Sequence, residues 1–116
     1  MARVLICEPH DDIRELLDFV VRRLGHEPVG LNGTGPDELA VDAAVIEPGE
    51  PEGLRLARQL REQGVPVLFT SIFPANPELL ALTPTAYLVK PFPLYVLERT
   101  LAETLSPEAT PRAVAL

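Results

Sequence analysis

Polar side chains that could share one chemistry follow four of the apolar runs in this sequence. Glu8 and Glu47 come directly after the first and third runs, Thr70 and Ser71 close the fourth, and Lys90 follows the fifth. The ten basic residues include a single lysine, Lys90. The residue types therefore make up two carboxylates, two hydroxyls and one cation, which could share one polar site provided that the fold brings them together.

The elements that must position these residues alternate along the chain. Aliphatic and β-branched runs predict five strands, and apolar residues at three- and four-residue spacing predict five helices between and after them. The predicted strands cover residues 3–7, 27–31, 43–47, 67–70 and 86–89, and the predicted helices cover residues 11–24, 36–41, 51–63, 76–82 and 93–105. In the last helix, the residues expected to face inward are Leu94, Leu97, Leu101 and Leu105.

Alternating strands and helices predict a parallel sheet covered on both faces, because parallel strands need crossovers and right-handed crossovers place the helices there. The predicted fold class is therefore α/β, a doubly wound five-stranded parallel sheet. Such sheets carry functional groups beyond the carboxyl ends of their strands. The residues that end the apolar runs are thus expected to meet at one edge of the sheet.

Composition favours one folded domain in a reducing, cytoplasmic setting. The 116 residues are 47% hydrophobic and 23% charged, as in a globular domain with its own core. Residues 1–105 are predicted to form the domain and residues 106–116, which contain two prolines, to form a tail. The single cysteine allows no internal disulfide, and no apolar run is long enough for a signal peptide or membrane span. A net charge of −7 without a basic face argues against direct nucleic-acid binding.

Several motifs resemble the receiver domain of response regulators, the CheY-like superfamily of two-component signal transduction, over about residues 3–105. The runs RVLI and DIRELL are similar to the family's first strand and helix, and YLVKPF is similar to its signature after the last strand. Gly53 and Leu54 resemble the start of its third helix. The resemblance implies a flavodoxin-like fold with strand order 2-1-3-4-5 and a cis peptide bond between Lys90 and Pro91.

The resemblance also implies roles for single positions. In the family, an acidic pair after the first strand binds Mg²⁺ and an Asp after the third strand accepts the phosphoryl group. A Ser or Thr after the fourth strand, an aromatic residue in the fifth and a Lys after it form the switch. Ser71, Tyr87 and Lys90 match those three positions, and Thr70 and Pro91 lie beside them.

The acidic positions depart from the family pattern. Glu8 keeps the first acid, Pro9 replaces the second, and Glu47 stands at the phosphoacceptor position. Because Pro9 has no side-chain oxygen, Glu8 is a vestigial ligand and Mg²⁺ binding is predicted to be weak or absent. The extra methylene of Glu47 misplaces its carboxylate, so we expect no phosphorylation there. Glu47 is expected instead to reach Lys90 and Ser71 and to hold the domain in one conformation.

Simpler roles for the same residues stay open at this point. Glu47 and Lys90 could form only a structural ion pair, the hydroxyls of Thr70 and Ser71 could only satisfy backbone groups, and Tyr87 fits fixed packing as well as a switch.

Three further residues are assigned no chemistry. Cys7 is expected to be a small buried apolar residue, because nothing cationic lies next to it in the sequence. His10 and His26 are lone histidines without ligand spacing.

The predicted function is a pseudo-receiver: an atypical, non-enzymatic, phosphorylation-independent protein-binding module. Its partner is expected to be a protein or a second copy, bound through the fourth predicted helix, the fifth strand and the fifth predicted helix. One alternative is a working phosphoacceptor in a phosphorelay, which treatment with a phosphodonor and Mg²⁺ would reveal. Another is the regulatory domain of a longer DNA-binding regulator, which the length of the reading frame would decide. The sequence identifies neither a kinase nor a regulated process.

Overall fold

The computed structural model describes residues 1–30 and 40–105, and in these ranges strands and helices alternate along the chain. The strands are β1 (Arg3–Cys7), β2 (Glu27–Gly30), β3 (Ala43–Ile46), β4 (Val67–Ser71) and β5 (Ala86–Val89), and the helices are α1 (Asp11–Arg23), α2 (Pro51–Glu62), α3 (Pro77–Leu80) and α4 (Leu94–Leu105). Most of the helix predicted at 36–41 and all of the tail predicted at 106–116 lie outside the described residues, and residues 40 and 41 are not helical. The predicted domain boundary stays a prediction.

The five strands form one parallel sheet in the order β2-β1-β3-β4-β5, which confirms the predicted fold class and strand order. Cys7 lies opposite Ile46 between β1 and β3, and Ser71 lies opposite Val89 between β4 and β5. The carboxyl ends of β1, β3, β4 and β5 therefore lie along one edge of the sheet. The residues that follow these strands are placed there together.

The two faces of the sheet bury separate apolar cores, because successive side chains of a strand point to opposite faces. One core joins strand residues such as Leu5 and Phe69 to α2 and α3. The other joins strand residues such as Val4, Val45 and Leu68 to α1 and α4. A residue's position within its strand therefore decides which pair of helices its side chain faces.

Local signals set the helix boundaries near the predicted positions. Gly25 and Gly64 have φ values of 87° and 80° after α1 and α2, the left-handed conformation that favours glycine at helix ends. The side chain of Asn76 accepts a hydrogen bond from the Leu79 amide and caps α3. The predicted inward orientation of Leu94 is wrong, since its side chain is 39% exposed. Leu94 is the first residue of α4, whereas Leu97 and Leu101 in the following turns are fully buried in the core.

Candidate functional site at the carboxyl edge of the sheet

A buried ion cluster of Glu8, Glu47 and Lys90 occupies the carboxyl edge of the sheet. The Lys90 Nζ atom lies 2.7 Å from Glu8 Oε1 and 3.2 Å from Glu47 Oε2. The side chains are 9% exposed for Lys90, 0% for Glu8 and 9% for Glu47. Lys90 follows β5, so its long side chain crosses the end of β4 to reach the ends of β3 and β1. The predicted Glu47–Lys90 ion pair is thus present, with Glu8 as a second and closer partner.

The second carboxylate oxygen of Glu8 contacts His10, a residue for which no role was predicted from the sequence. Glu8 Oε2 accepts a hydrogen bond from the His10 backbone amide at 3.1 Å and contacts His10 Nδ1 at 2.9 Å. Burial by itself raises the pKa of the Glu8 carboxyl, but hydrogen bonds from Lys90 and His10 and the charge of Lys90 outweigh burial and hold that pKa below its ordinary value. Glu8 is therefore an anion at neutral pH.

Two glycines allow the loop after β3 to close tightly around Glu47. The Gly49 amide donates a hydrogen bond of 2.8 Å to Glu47 Oε1. A Cβ atom on Gly49 would lie 3.0 Å from that oxygen, and a Cβ atom on Gly53 would overlap the Glu47 carbonyl oxygen. Glycine at both positions therefore lets α2 begin directly beside the end of β3.

The backbone at Lys90 is fixed by β4. The Lys90 amide donates a hydrogen bond of 2.7 Å to the Ser71 carbonyl oxygen. The peptide bond between Lys90 and Pro91 is cis, as the resemblance implied. The lysine stem thus leaves β5 from a defined position at the sheet edge.

The hydroxyl groups of the predicted switch do not join the ion cluster. Ser71 Oγ accepts a hydrogen bond from the Phe73 amide at 3.1 Å, and the Tyr87 hydroxyl donates to the Phe73 carbonyl oxygen at 2.8 Å. The predicted contact between Glu47 and Ser71 is absent. Ser71 and Phe69 are two residues apart in β4, so both side chains point to the face of the sheet that α2 and α3 cover. Thr70 Oγ1 is buried and has no hydrogen-bond partner among the described residues.

Beside the cluster, on the α2 and α3 face, lies an open cavity of about 230 Å³. Its walls come from the loop after β3, from Leu54 of α2, from the segment after β4, from α3 and from Tyr87 of β5. Ser71 and Gly49 line it, and the Gly49 amide also donates to Glu47 of the ion cluster, so the cavity and the cluster are neighbours. The sequence pattern did not predict this cavity.

Cys7 is a buried thiol that stays protonated. Burial raises its pKa to about 11, with smaller contributions from the negative charges of Glu52, Glu8, Glu50 and Glu47. A thiol in this state is a poor nucleophile at neutral pH.

No group of three or more His, Cys, Asp or Glu side chains that could hold a metal ion occurs within residues 1–30 and 40–105. Within those same ranges, no helix is both long and apolar enough to cross a membrane.

A doubly wound sheet in this order, with acids after β1 and β3 and a lysine after β5, is the arrangement that the resemblance to receiver domains implied. Solved receiver domains share the fold over nearly the whole chain. The non-phosphorylated HemR receiver domain from Leptospira biflexa matches with a TM-score of 0.75 at 22% identity, over 91% of this chain and 95% of that one. The chemotaxis protein CheY4 of Vibrio cholerae matches with a TM-score of 0.70 at 26% identity, over 90% and 99%. This chain has the response regulator receiver (CheY-like) fold.

Sequence comparison alone is less informative. No family model matches the chain. A probable transaldolase of Geobacillus thermodenitrificans is 31% identical over 90 residues, which are 72% of this chain, and the chain spans 42% of that protein's length. The match therefore covers a minor part of the transaldolase.

Proposed function

We propose that this chain is a phosphorylation-independent receiver-like module of two-component signalling that binds a protein partner. The position of the Lys90 ammonium carries the proposal. In a phosphorylated receiver, a lysine here neutralises charge on the phosphoryl oxygens. In this chain two carboxylates of the protein itself already hold the ammonium, at 2.7 Å and 3.2 Å. The charge of the Lys90 ammonium is thus already compensated before any phosphoryl group arrives.

The residues at the edge do not fit the Mg²⁺ ion that the receiver fold implies. Mg²⁺ is held by carboxylate oxygens and keeps near-ideal octahedral geometry. Pro9 supplies no oxygen, and all four carboxylate oxygens of Glu8 and Glu47 have partners in the chain: Lys90 takes one from each, and His10 and Gly49 take the others. A Mg²⁺ ion would have to compete with these contacts for the same oxygens.

Electrostatics near the site also disfavour an anionic phosphodonor. Glu47, Glu50 and Glu52 lie close enough to Cys7 for their charges, with that of Glu8, to raise its pKa. Among residues 1–30 and 40–105, Lys90 is the only cation within hydrogen-bonding distance of a cluster carboxylate apart from the ring of His10, which bears a charge only when protonated. Like charge at the mouth of a site lowers the rate at which an anion enters it.

The surface formed by α3, β5 and α4, here called the output surface, has features that favour binding of a protein partner. It exposes large apolar side chains at Leu80, Val89, Leu94 and Tyr95, with exposures between 39% and 67%. From residue 87 to residue 97 the one charged side chain is that of Lys90, which is held in the ion cluster. Exposed apolar groups without charge are typical of surfaces that bind proteins.

Denatured mass measurement after treatment with acetyl phosphate and Mg²⁺ tests the phosphorylation part of the proposal. We expect no added mass, because neither the metal nor the phosphoryl group is accommodated. A gain of about 80 Da, one phosphoryl group, would favour the working phosphoacceptor instead.

Charge substitution tests the binding part. Tyr95→Glu on the output surface should abolish capture of the partner, and Phe19→Glu is the matched control, since Phe19 of α1 is also exposed, at 54%. The comparison requires a partner purified and titrated against both variants, with self-association followed by light scattering. Equal loss of partner binding in both variants, or loss only in Phe19→Glu, would show that the partner does not bind at the output surface.

A further inference from the structure

We propose that the cavity beside the ion cluster binds one apolar residue of an extended peptide segment from a partner protein, together with the flanking peptide group. The inference deepens the proposed binding function by naming a second point of contact and its chemistry. The cavity lies on the α2 and α3 face, whereas β5 and α4 supply most of the exposed apolar side chains of the output surface.

Size and walls favour a single side chain. A volume of about 230 Å³ is below the range of about 300–1,000 Å³ that holds drug-sized ligands. The walls are apolar and rigid at Pro48, Leu54, Phe73 and Pro74. An aliphatic residue fits these walls, and its burial would be favourable because it removes apolar area from water.

Hydrogen-bonding groups in the cavity favour an amide beside that residue. Ser71 is 2% exposed, its Oγ atom already accepts from the Phe73 amide, and its hydroxyl proton has no acceptor among the described residues. Asn76 uses its carboxamide oxygen to cap α3, so its Nδ2 group is available as a donor. Tyr87 donates its proton to the Phe73 carbonyl and keeps oxygen lone pairs as acceptors. The two donors can bind a peptide carbonyl oxygen, and the acceptor can bind a peptide N–H group.

The net charge of the chain disfavours an acidic segment. Glu78 lines the cavity, and its carboxylate is bridged to Arg58 at 3.2 Å with both side chains exposed. Because the whole chain also has a net charge of −7, a neutral or basic segment is favoured.

The capped residue N-acetyl-L-leucine N-methylamide is a suitable probe, titrated into the full chain and followed by amide chemical shifts. Ligands of this size reach a Kd of about 1 mM when they fit well. Shifts should concentrate at Gly49, Ser71, Phe73 and Tyr87. N-acetylglycine N-methylamide lacks the side chain and should bind at least about tenfold more weakly.

Two variants and one control test the assignment. Ser71→Ala removes the unused hydroxyl donor and should weaken binding about fivefold. Thr70→Val is the matched control, because it removes the neighbouring hydroxyl, which faces the other core, and should leave binding unchanged. Leu54→Phe fills the cavity from α2 and should abolish the shifts while the rest of the spectrum stays native.

Each outcome decides the inference. Saturable shifts that weaken in Ser71→Ala and persist in Thr70→Val support it. No saturable shift at these residues, equal binding of the leucine and glycine probes, or full binding by Leu54→Phe would overturn it. The phosphodonor experiment is independent: a mass gain there would refute the proposed function while the leucine probe still reported on the cavity.

Discussion

Replacing Lys90 by Met removes the ammonium from the ion cluster and keeps a side chain of similar length. Glu8 and Glu47, at 5% and 7% residual exposure, would then face each other as buried anions without a cation between them. Removing one partner of a buried ion pair costs about 3–5 kcal/mol, because the remaining charge is left desolvated. The free energy of unfolding of Lys90→Met should fall by about that amount at pH 7, a large fraction of the 5–15 kcal/mol typical of a domain.

The effect should depend on pH in a defined direction. In the wild type, the pKa of Glu8 is lowered, so its ionised form stabilises the fold above its ordinary pKa, and this contribution is lost as pH falls through the lowered value. In Lys90→Met, burial and the hydrogen bonds from His10 remain, but the hydrogen bond and charge of Lys90 are gone, so the pKa of Glu8 should rise relative to the wild type. Protonation of Glu8 then removes an uncompensated buried charge from the variant. The difference in unfolding free energy between the wild type and Lys90→Met should therefore narrow as pH falls from 7 toward 4.

Urea unfolding followed by circular dichroism at pH 7, 5.5 and 4 measures both quantities. Arg99→Met is the matched control, because Arg99 lies exposed on α4, and a surface substitution of this kind changes stability by about 0.5 kcal/mol or less. A loss below about 1 kcal/mol for Lys90→Met at pH 7, or a difference that stays constant with pH, would refute the reasoning that Lys90 compensates buried carboxylate charge in the cluster.

Three other predictions concern the same edge of the sheet. Glu47→Asp alone should remain unmodified by acetyl phosphate, whereas Glu47→Asp combined with Pro9→Asp should gain a measurable phosphoryl mass, because only the double change restores a second metal-ligand acid beside a shorter carboxylate. Cys7 should react with a thiol reagent at pH 8 about 100-fold more slowly in the folded protein than in urea, as a pKa near 11 rather than 9.0 requires, and equal rates would contradict its burial. Gly53→Ala should destabilise the domain by about 1–3 kcal/mol in thermal unfolding, although alanine ordinarily stabilises a helix interior, and a stabilised variant would show that α2 and the end of β3 are not in close contact.

The fold was predictable because its signals are local and repeat along the chain. Apolar runs defined all five strands to within one residue at each end, and Gly25 and Gly64 ended α1 and α2 in the conformation that favours glycine. The predicted burial failed at Leu94 because helical spacing indicates a shared face but not how much of that face the rest of the fold covers at the helix end.

The candidate site was only half predictable. Strand ends and charge placed Glu8, Glu47 and Lys90 together, since all three follow parallel strands. The predicted contact of Ser71 with Glu47 was wrong because adjacent residues of a strand point to opposite faces of the sheet. The register of the strand therefore decides to which face each of the adjacent hydroxyls of Thr70 and Ser71 points. His10 was missed because its contact with Glu8 depends on the rotamer of one ring, although a carboxylate two residues before a backbone amide is a recognisable local pairing.

The ion cluster also has a consequence for how the chain folds. Lys90 is 82 residues from Glu8 and 43 from Glu47 in sequence, so both of its contacts close long loops. Closing long loops costs entropy before the contact rewards it, which places such contacts late in folding. Until β5 has docked, the ends of β1 and β3 carry two carboxylates with no cation to accompany their burial. A partly folded state in which β5 has not docked is therefore electrostatically unfavourable at the carboxyl edge of the sheet. The stability of β1 is in this way coupled to the docking of β5.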